Sequence, residues 1–216
     1  MSWLRRIFAR PPRPERTPDV PLAASEDAAR AVDDLVHWAH VWVRGGYMSR
    51  DHVADWVEDL AVETLGSAPF DADSLVAREI TDLRAEQVRW PAITQWDRMD
   101  AAMEALELNG IVARQNFSCC GNCGVGEIEA EMAAQIDNGA RVRGYAFFHQ
   151  QDTESAVLGD GLYLSYGGLR PDDRAAERIG AEVVDAFAGA GLRPDWNGSL
   201  DRRIYLPIDW KRRWQE

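Results

Sequence analysis

The hydrophobic period changes once along this chain, at Asn109 and Gly110, and that change limits the folds open to it. Before the break, apolar residues recur every three to four positions, the spacing of helices packed on one face. Val53, Trp56, Val57, Leu60, Ala61 and Leu65 form one such stripe, and Trp96, Met99, Met103 and Leu106 another. After it, "IVARQNFS", "RGYAFFHQ", "GLYLSYGG" and "RRIYLPI" read as strands, separated by the helical patterns "GEIEAEMAAQIDNG" and an alanine-rich stretch over 172–190. A helical half followed by a strand-bearing half predicts an α+β protein.

Capping signals divide the first half into four helices. Ser25 can start one that "GG" at 45–46 stops, and Ser49 a second that Gly66 closes. A third is expected over 72–90, ending before Pro91, and a fourth ends at Asn109 and Gly110. In the second half the order strand, helix, strand, strand, helix, strand is that of a ferredoxin-like (βαββαβ) antiparallel sheet, with "LRPDW" and "RRIYLPI" as a C-terminal hairpin around "NGSLD". The expected organisation is a flexible basic tail over 1–24, a helical region over 25–108 and a ferredoxin-like region over 109–216, the last two packed as one unit. In that topology the third strand lies between the first two and separates their backbones by about 10 Å.

The tail carries Arg5, Arg6, Arg10, Arg13 and Arg16 against Glu15 and Asp19, a charge of +3, within a chain of net charge −12. Five prolines make it an extended linker. Ahead of them, Trp3, Leu4, Ile7 and Phe8 share a helical face, so residues 1–10 can touch an anionic membrane surface; a frayed terminus is the plainer reading. No apolar run is long enough to span a bilayer. The acidic remainder argues against a nucleic-acid binder and suits a basic protein partner, as for an immunity-type interaction module. The terminal "DWKRRW" reads as a basic, aromatic docking edge.

All three cysteines, Cys119, Cys120 and Cys123, fall in "QNFSCCGNCGVGEI", and no signal-peptide pattern precedes them. Clustered free thiols without a secretory leader point to the cytoplasm. Cys120, Cys123 and Gly124 form a CxxC turn that can direct two thiolates at one ion; Cys119 and His149 are the remaining candidate ligands, with zinc the expected metal. Adjacent Cys119 and Cys120 oppose this, because neighbouring side chains in extended backbone point to opposite faces. The thiolates converge only if the chain turns at Cys119 or Gly121. A second reading makes Cys120 or Cys123 a reactive thiol or redox pair at the start of a helix near Val125, with His149 as base and Asp152 or Glu154 orienting it. The plain alternative is three small buried groups in a turn.

"HQQDTE" over 149–154 is either a polar pocket wall or a strand end where Asp152 caps a short helix. His37 and His40 share a helical face beside Trp38, Val41 and Trp42, which favours core or interface over a metal site; His52 reads as structural. "GNCGVG" is neither a dinucleotide fingerprint nor a P-loop, and the cysteines lack the upstream HxE of zinc deaminases.

At "DRMDAAMEALELNGIVARQNFSCCGNCGVGEI", "GYAFFHQQDTE" and "GLYLSYG" the chain resembles a largely bacterial family of uncharacterised proteins, known only as a domain of unknown function. The resemblance covers most of the chain beyond the proline linker and rests on Cys119, Cys120, Cys123, Gly124, His149, Gln150, Gln151 and Asp152. It implies a shared site. It implies no reaction.

Overall fold

The computed structural model describes residues 26–66, 69–170 and 172–215. The basic tail, its membrane-surface reading and the Ser25 cap fall outside the described residues. Helices α1 (Glu26–Gly45), α2 (Arg50–Leu65) and α3 (Ala72–Gln87) pack around Leu35, Ala39, Val43, Val57, Val76 and Leu83. Ser49 caps α2 by accepting the His52 amide at 3.3 Å, and Gly66 ends it in a left-handed conformation. The third helix stops three residues short of expectation. The amides of Arg89 and Trp90 turn back to the carbonyls of Glu86 and Gln87, tightening the chain before Pro91.

Helix α4 (Gln95–Leu108) opens with a capping box between Thr94 and Asp97 and sends Met99, Met103 and Leu106 into a different cluster. That cluster is the core under the sheet. It joins α4 to Phe148, Leu162, Leu164 and Ile204, and to Ile179, Val183 and Phe187 of α7 (Asp173–Gly189). The strands are β1 (Ile111–Arg114), β2 (Gly144–Phe147), β3 (Leu162–Gly168) and β4 (Ile204–Leu206). The other face of β1 and β2 is covered by α5 (Gly121–Asp137), through Val112, Ile128, Met132 and Phe147. The α+β class read from the period change stands.

The strand order does not follow the ferredoxin-like expectation. The sheet runs β1-β2-β3-β4 and is mixed: β1 pairs directly with β2 in parallel, from Ile111 opposite Gly144 to Arg114 opposite Phe147. Strands β2, β3 and β4 then form an antiparallel meander. Two local features account for this. A short helix, α6 (Gln150–Val157), and a turn with Gly159 and Gly161 at positive φ separate β2 from β3, so the chain reverses on the far side of β2 instead of through a tight hairpin. Gly144 also lets β3 approach, since a Cβ there would stand 2.3 Å from the Gly167 carbonyl oxygen. The outer edge of β1 is closed by Glu107, whose carboxylate accepts the Ala113 amide at 2.6 Å.

The expected C-terminal hairpin shrinks to one bridge, in which Asp195 and Tyr205 exchange backbone bonds of 2.7 and 3.0 Å. Pro194 has no amide to extend the ladder. The "DWKRRW" segment docks on its own chain: the Trp210 indole donates to the Arg44 carbonyl at 3.0 Å, Arg213 reaches Asp97 and the Pro91 carbonyl, and Trp214 packs on the three-helix cluster. Among the described residues no helix is long and apolar enough to cross a membrane.

Candidate metal centre

The two parallel strands end at the same side of the sheet, and each feeds a helix: β1 runs through a turn into α5, and β2 into α6. The turn is bent by Asn116 (φ 49°) and Ser118 (φ 63°), side chains held in left-handed backbone. Neighbouring contacts fix that conformation. Asn116 accepts the Thr153 hydroxyl at 2.8 Å, the Phe117 amide reaches the Phe148 carbonyl at 2.8 Å, and the Gln150 amide reaches the Ser118 carbonyl at 3.2 Å. The turn is thereby pinned to the start of α6. Behind it, Gln115 accepts from the Tyr47 hydroxyl and donates to Asp100.

Helix α5 begins at Gly121, four residues before Val125, with its first bond from the Gly124 amide to the Cys120 carbonyl at 2.9 Å. Three glycines at 121, 124 and 126 weaken the helical pattern there, which is why the sequence places the start late. Cys120 occupies the extended N-cap position and Cys123 the third helical position. Gly124 is required by packing, because a Cβ would meet the Phe147 ring at 2.6 Å.

The bend at Ser118 and the helix start at Gly121 remove the obstacle posed by adjacent Cys119 and Cys120. All three sulfur atoms lie within 4.8 Å of one another. Cys119 and Cys123 are exposed and Cys120 is half-buried. The thiols do not share one acidity. The Cys123 amide, followed by the Cys123 thiol, holds Cys120 below the usual thiol range, although its side chain completes no cap hydrogen bond with ordinary geometry. Interactions with Cys119 and then Cys120 push Cys123 up to about 11. One negative charge is welcomed at the helix start, and further ionisation is opposed by the first. A bound cation would relieve that opposition.

His149 is buried at the end of β2 and caps α6. Its Nδ1 accepts the Asp152 amide at 3.3 Å, and its Nε2 stands 3.1 Å from Asp152 Oδ2. Burial holds the imidazole below the usual histidine range; Asp152 pulls it up and Arg203 pushes it down. The ring edge at Nε2 lies 3.6 Å from where a Cβ on Gly121 would stand, but neither ring nitrogen joins the group of mutually close sulfurs. Asp152, also buried, accepts two bonds from Arg203 at 2.9 and 2.6 Å. Glu154 does not orient His149; burial raises its pKa, and the charge interaction that opposes this comes from His37. His40 contacts Glu79 and Arg44, His37 packs edge-on against Trp38, and His52 contacts Ser49, so these three stand apart from the cysteines.

Two residues beside the site escape the sequence reading. Glu127 accepts the Ser118 hydroxyl at 3.2 Å, while its other carboxylate oxygen is buried without a hydrogen-bond partner. It follows Cys123 by four positions, a helical spacing that could have drawn attention to it. Arg203 is remote in sequence, and no local signal ties it to Asp152.

A family described as a domain of unknown function, DUF6891, matches residues 28–214, and the chain belongs to that family. No curated protein and no solved structure matches it.

Proposed function

We propose that this protein is a metal-binding module of binding or regulatory role, in which the thiolates of Cys119, Cys120 and Cys123 hold a zinc ion. The observation that carries the reading is the convergence of three sulfurs within 4.8 Å at the start of α5. Zinc–sulfur bonds of about 2.3 Å in tetrahedral geometry place sulfurs about 3.8 Å apart, so closing on an ion requires sulfur separations to shrink by no more than about 1 Å. Small side-chain rotations at an exposed turn supply this. Three free thiols clustered in one turn suit the cytoplasm. The acidic chain, net −12, suits a basic protein partner.

Metal analysis after purification without chelator tests the reading. Near one equivalent of zinc is expected, lost on replacing any one cysteine by serine. Wild-type protein without metal, with all three thiols titrating freely, would overturn it.

A cysteine-dependent activity is the second reading, favoured by the Cys123 amide and thiol that hold the Cys120 pKa below the usual thiol range. Cys120, and not the elevated Cys123, is then the reactive thiol. His149 is a poor match for its base, because both ring nitrogens already face Asp152. Rapid, selective alkylation of Cys120 below neutral pH is the result that would favour this alternative over zinc.

A further inference from the structure

Three protein thiolates leave zinc one donor short of the four found in closed structural sites. Among the described residues, no fourth His, Cys, Asp or Glu donor joins the three sulfurs within 4.8 Å. His149 is the neighbour at hand, and its chemistry is committed elsewhere. Because Nδ1 accepts the Asp152 amide, the proton of the neutral ring belongs on Nε2, which stands 3.1 Å from Asp152 Oδ2. Ligation through Nδ1 would uncap α6. Ligation through Nε2 would need that proton removed and the contact to Asp152 given up. The ring is also buried at the end of β2, and neither of its nitrogens joins the close group of sulfurs. Glu127 holds the Ser118 hydroxyl with one carboxylate oxygen, and its unpartnered oxygen does not join the atoms within 4.8 Å of the three sulfurs. Cys119 and Cys123 are exposed residues, so the remaining corner of the tetrahedron has access to solvent.

Resting on the metal-binding reading, we infer that the ion held by Cys119, Cys120 and Cys123 keeps an open fourth position, and that a small thiol from solution is its ligand. Three sulfur donors set a soft preference that a fourth thiolate satisfies. The step is ligand exchange: metal-bound water leaves, the thiol loses its proton to solvent on coordination, and no oxidation state changes. The arrangement is that of a zinc site with an exchangeable position, not of a closed knuckle.

The test is optical. The full chain, reduced with a phosphine and free of thiol, is loaded with cobalt(II), and 2-mercaptoethanol or glutathione is then added. Sulfur-to-cobalt charge-transfer absorption should rise by about one third, as three thiolates become four, with a shift of the visible bands. His149→Asn, which can still cap α6, should leave both the thiol-free spectrum and the thiol response unchanged. Spectra insensitive to added thiol would overturn the proposal. So would a thiol-free spectrum altered by His149→Asn, or a cobalt-dependent dimer in sedimentation, in which a second copy fills the position. Absence of any sulfur-to-cobalt band would overturn the underlying metal reading, and this proposal with it.

Discussion

The backbone amide of Asp152 points at Nδ1 of His149 while the Asp152 carboxylate accepts the His149 amide at 3.0 Å, so two side chains three residues apart cap one helix reciprocally. This is a capping box with an imidazole where serine or threonine usually stands. It requires an unprotonated Nδ1. Burial depresses the His149 pKa in the folded protein, so below the ordinary histidine value of about 6.5 the unfolded chain binds the proton more readily. The contribution of this histidine to stability is therefore complete above that pH. It declines as pH falls from there toward the folded-state pKa. Thermal melts across this window should show a drop in Tm for wild type that is smaller in His149→Asn; parallel curves would refute the assignment.

Glycines two positions apart in α5 should respond in opposite directions to alanine. A methyl group at Gly124 meets Phe147 Cε2 at 2.6 Å and Cζ at 2.8 Å, against a ring buried between sheet and helix. Gly124→Ala should cost about 1–3 kcal/mol by overpacking, and should weaken the metal binding proposed for the turn because the helix start that positions Cys120 and Cys123 must shift. At Gly126 nothing lies within 4 Å of the added carbon, so Gly126→Ala should gain up to about 1 kcal/mol of helix stability. Denaturant titration of the two variants, with metal content alongside, reads both effects.

The contrast also shows how far the sequence could be read. Helical stripes, caps at Ser49 and Gly66, and the switch to strands at Ile111 are local signals, and they place most elements within a few residues. The strand order was not local. It depends on α6, which "HQQDTE" offers only as one of two readings and with Asp152 as cap where His149 takes that place, and on the close approach of Gly144 to Gly167 from opposite strands. Direct pairing of β1 with β2 brings the cysteine turn and His149 to adjacent strand ends, where an intervening strand was expected. Cysteine composition alone picked out the turn. Convergence of its sulfurs required the left-handed Ser118 and the early start of α5, and neither serine nor a glycine-rich helix start announces itself.

Arg203 should prove necessary to the capping box it does not belong to. Its guanidinium makes two bonds to Asp152, whose side chain is 5% exposed, and a third to the Tyr163 carbonyl. Arg203→Met leaves a buried carboxylate without its cation, at a cost of about 3 kcal/mol, the lower end for such pairs because Arg203 itself is partly exposed. Asp152→Asn in the same chain should recover part of that loss. Equal and additive effects in the double-mutant cycle would show that the two residues do not act as a pair.

The C-terminal segment should act as a clamp between the three-helix cluster and the sheet, with Arg212 as its fastening. The guanidinium carbon lies 3.8 Å from the Tyr47 ring centre and 4.7 Å from that of Trp96. Its Nη1 is buried without a hydrogen-bond partner, and burial lowers its pKa, so the stacked rings provide much of what holds the cation in place. Gly46 leaves room for it, since a Cβ there would stand 2.9 Å from Arg212 Cδ. Arg212→Ala should cost about 2 kcal/mol through the loss of two ring contacts, and Arg212→Lys should restore only part, because a compact ammonium lacks the planar guanidinium that lies over the two rings. Denaturant unfolding followed by tryptophan fluorescence measures the loss, and Trp96 at the stack adds a local signal. If Lys restored full stability, the planar stacking would not be what fastens the segment, and the charge near Asp100 would be left as the cause.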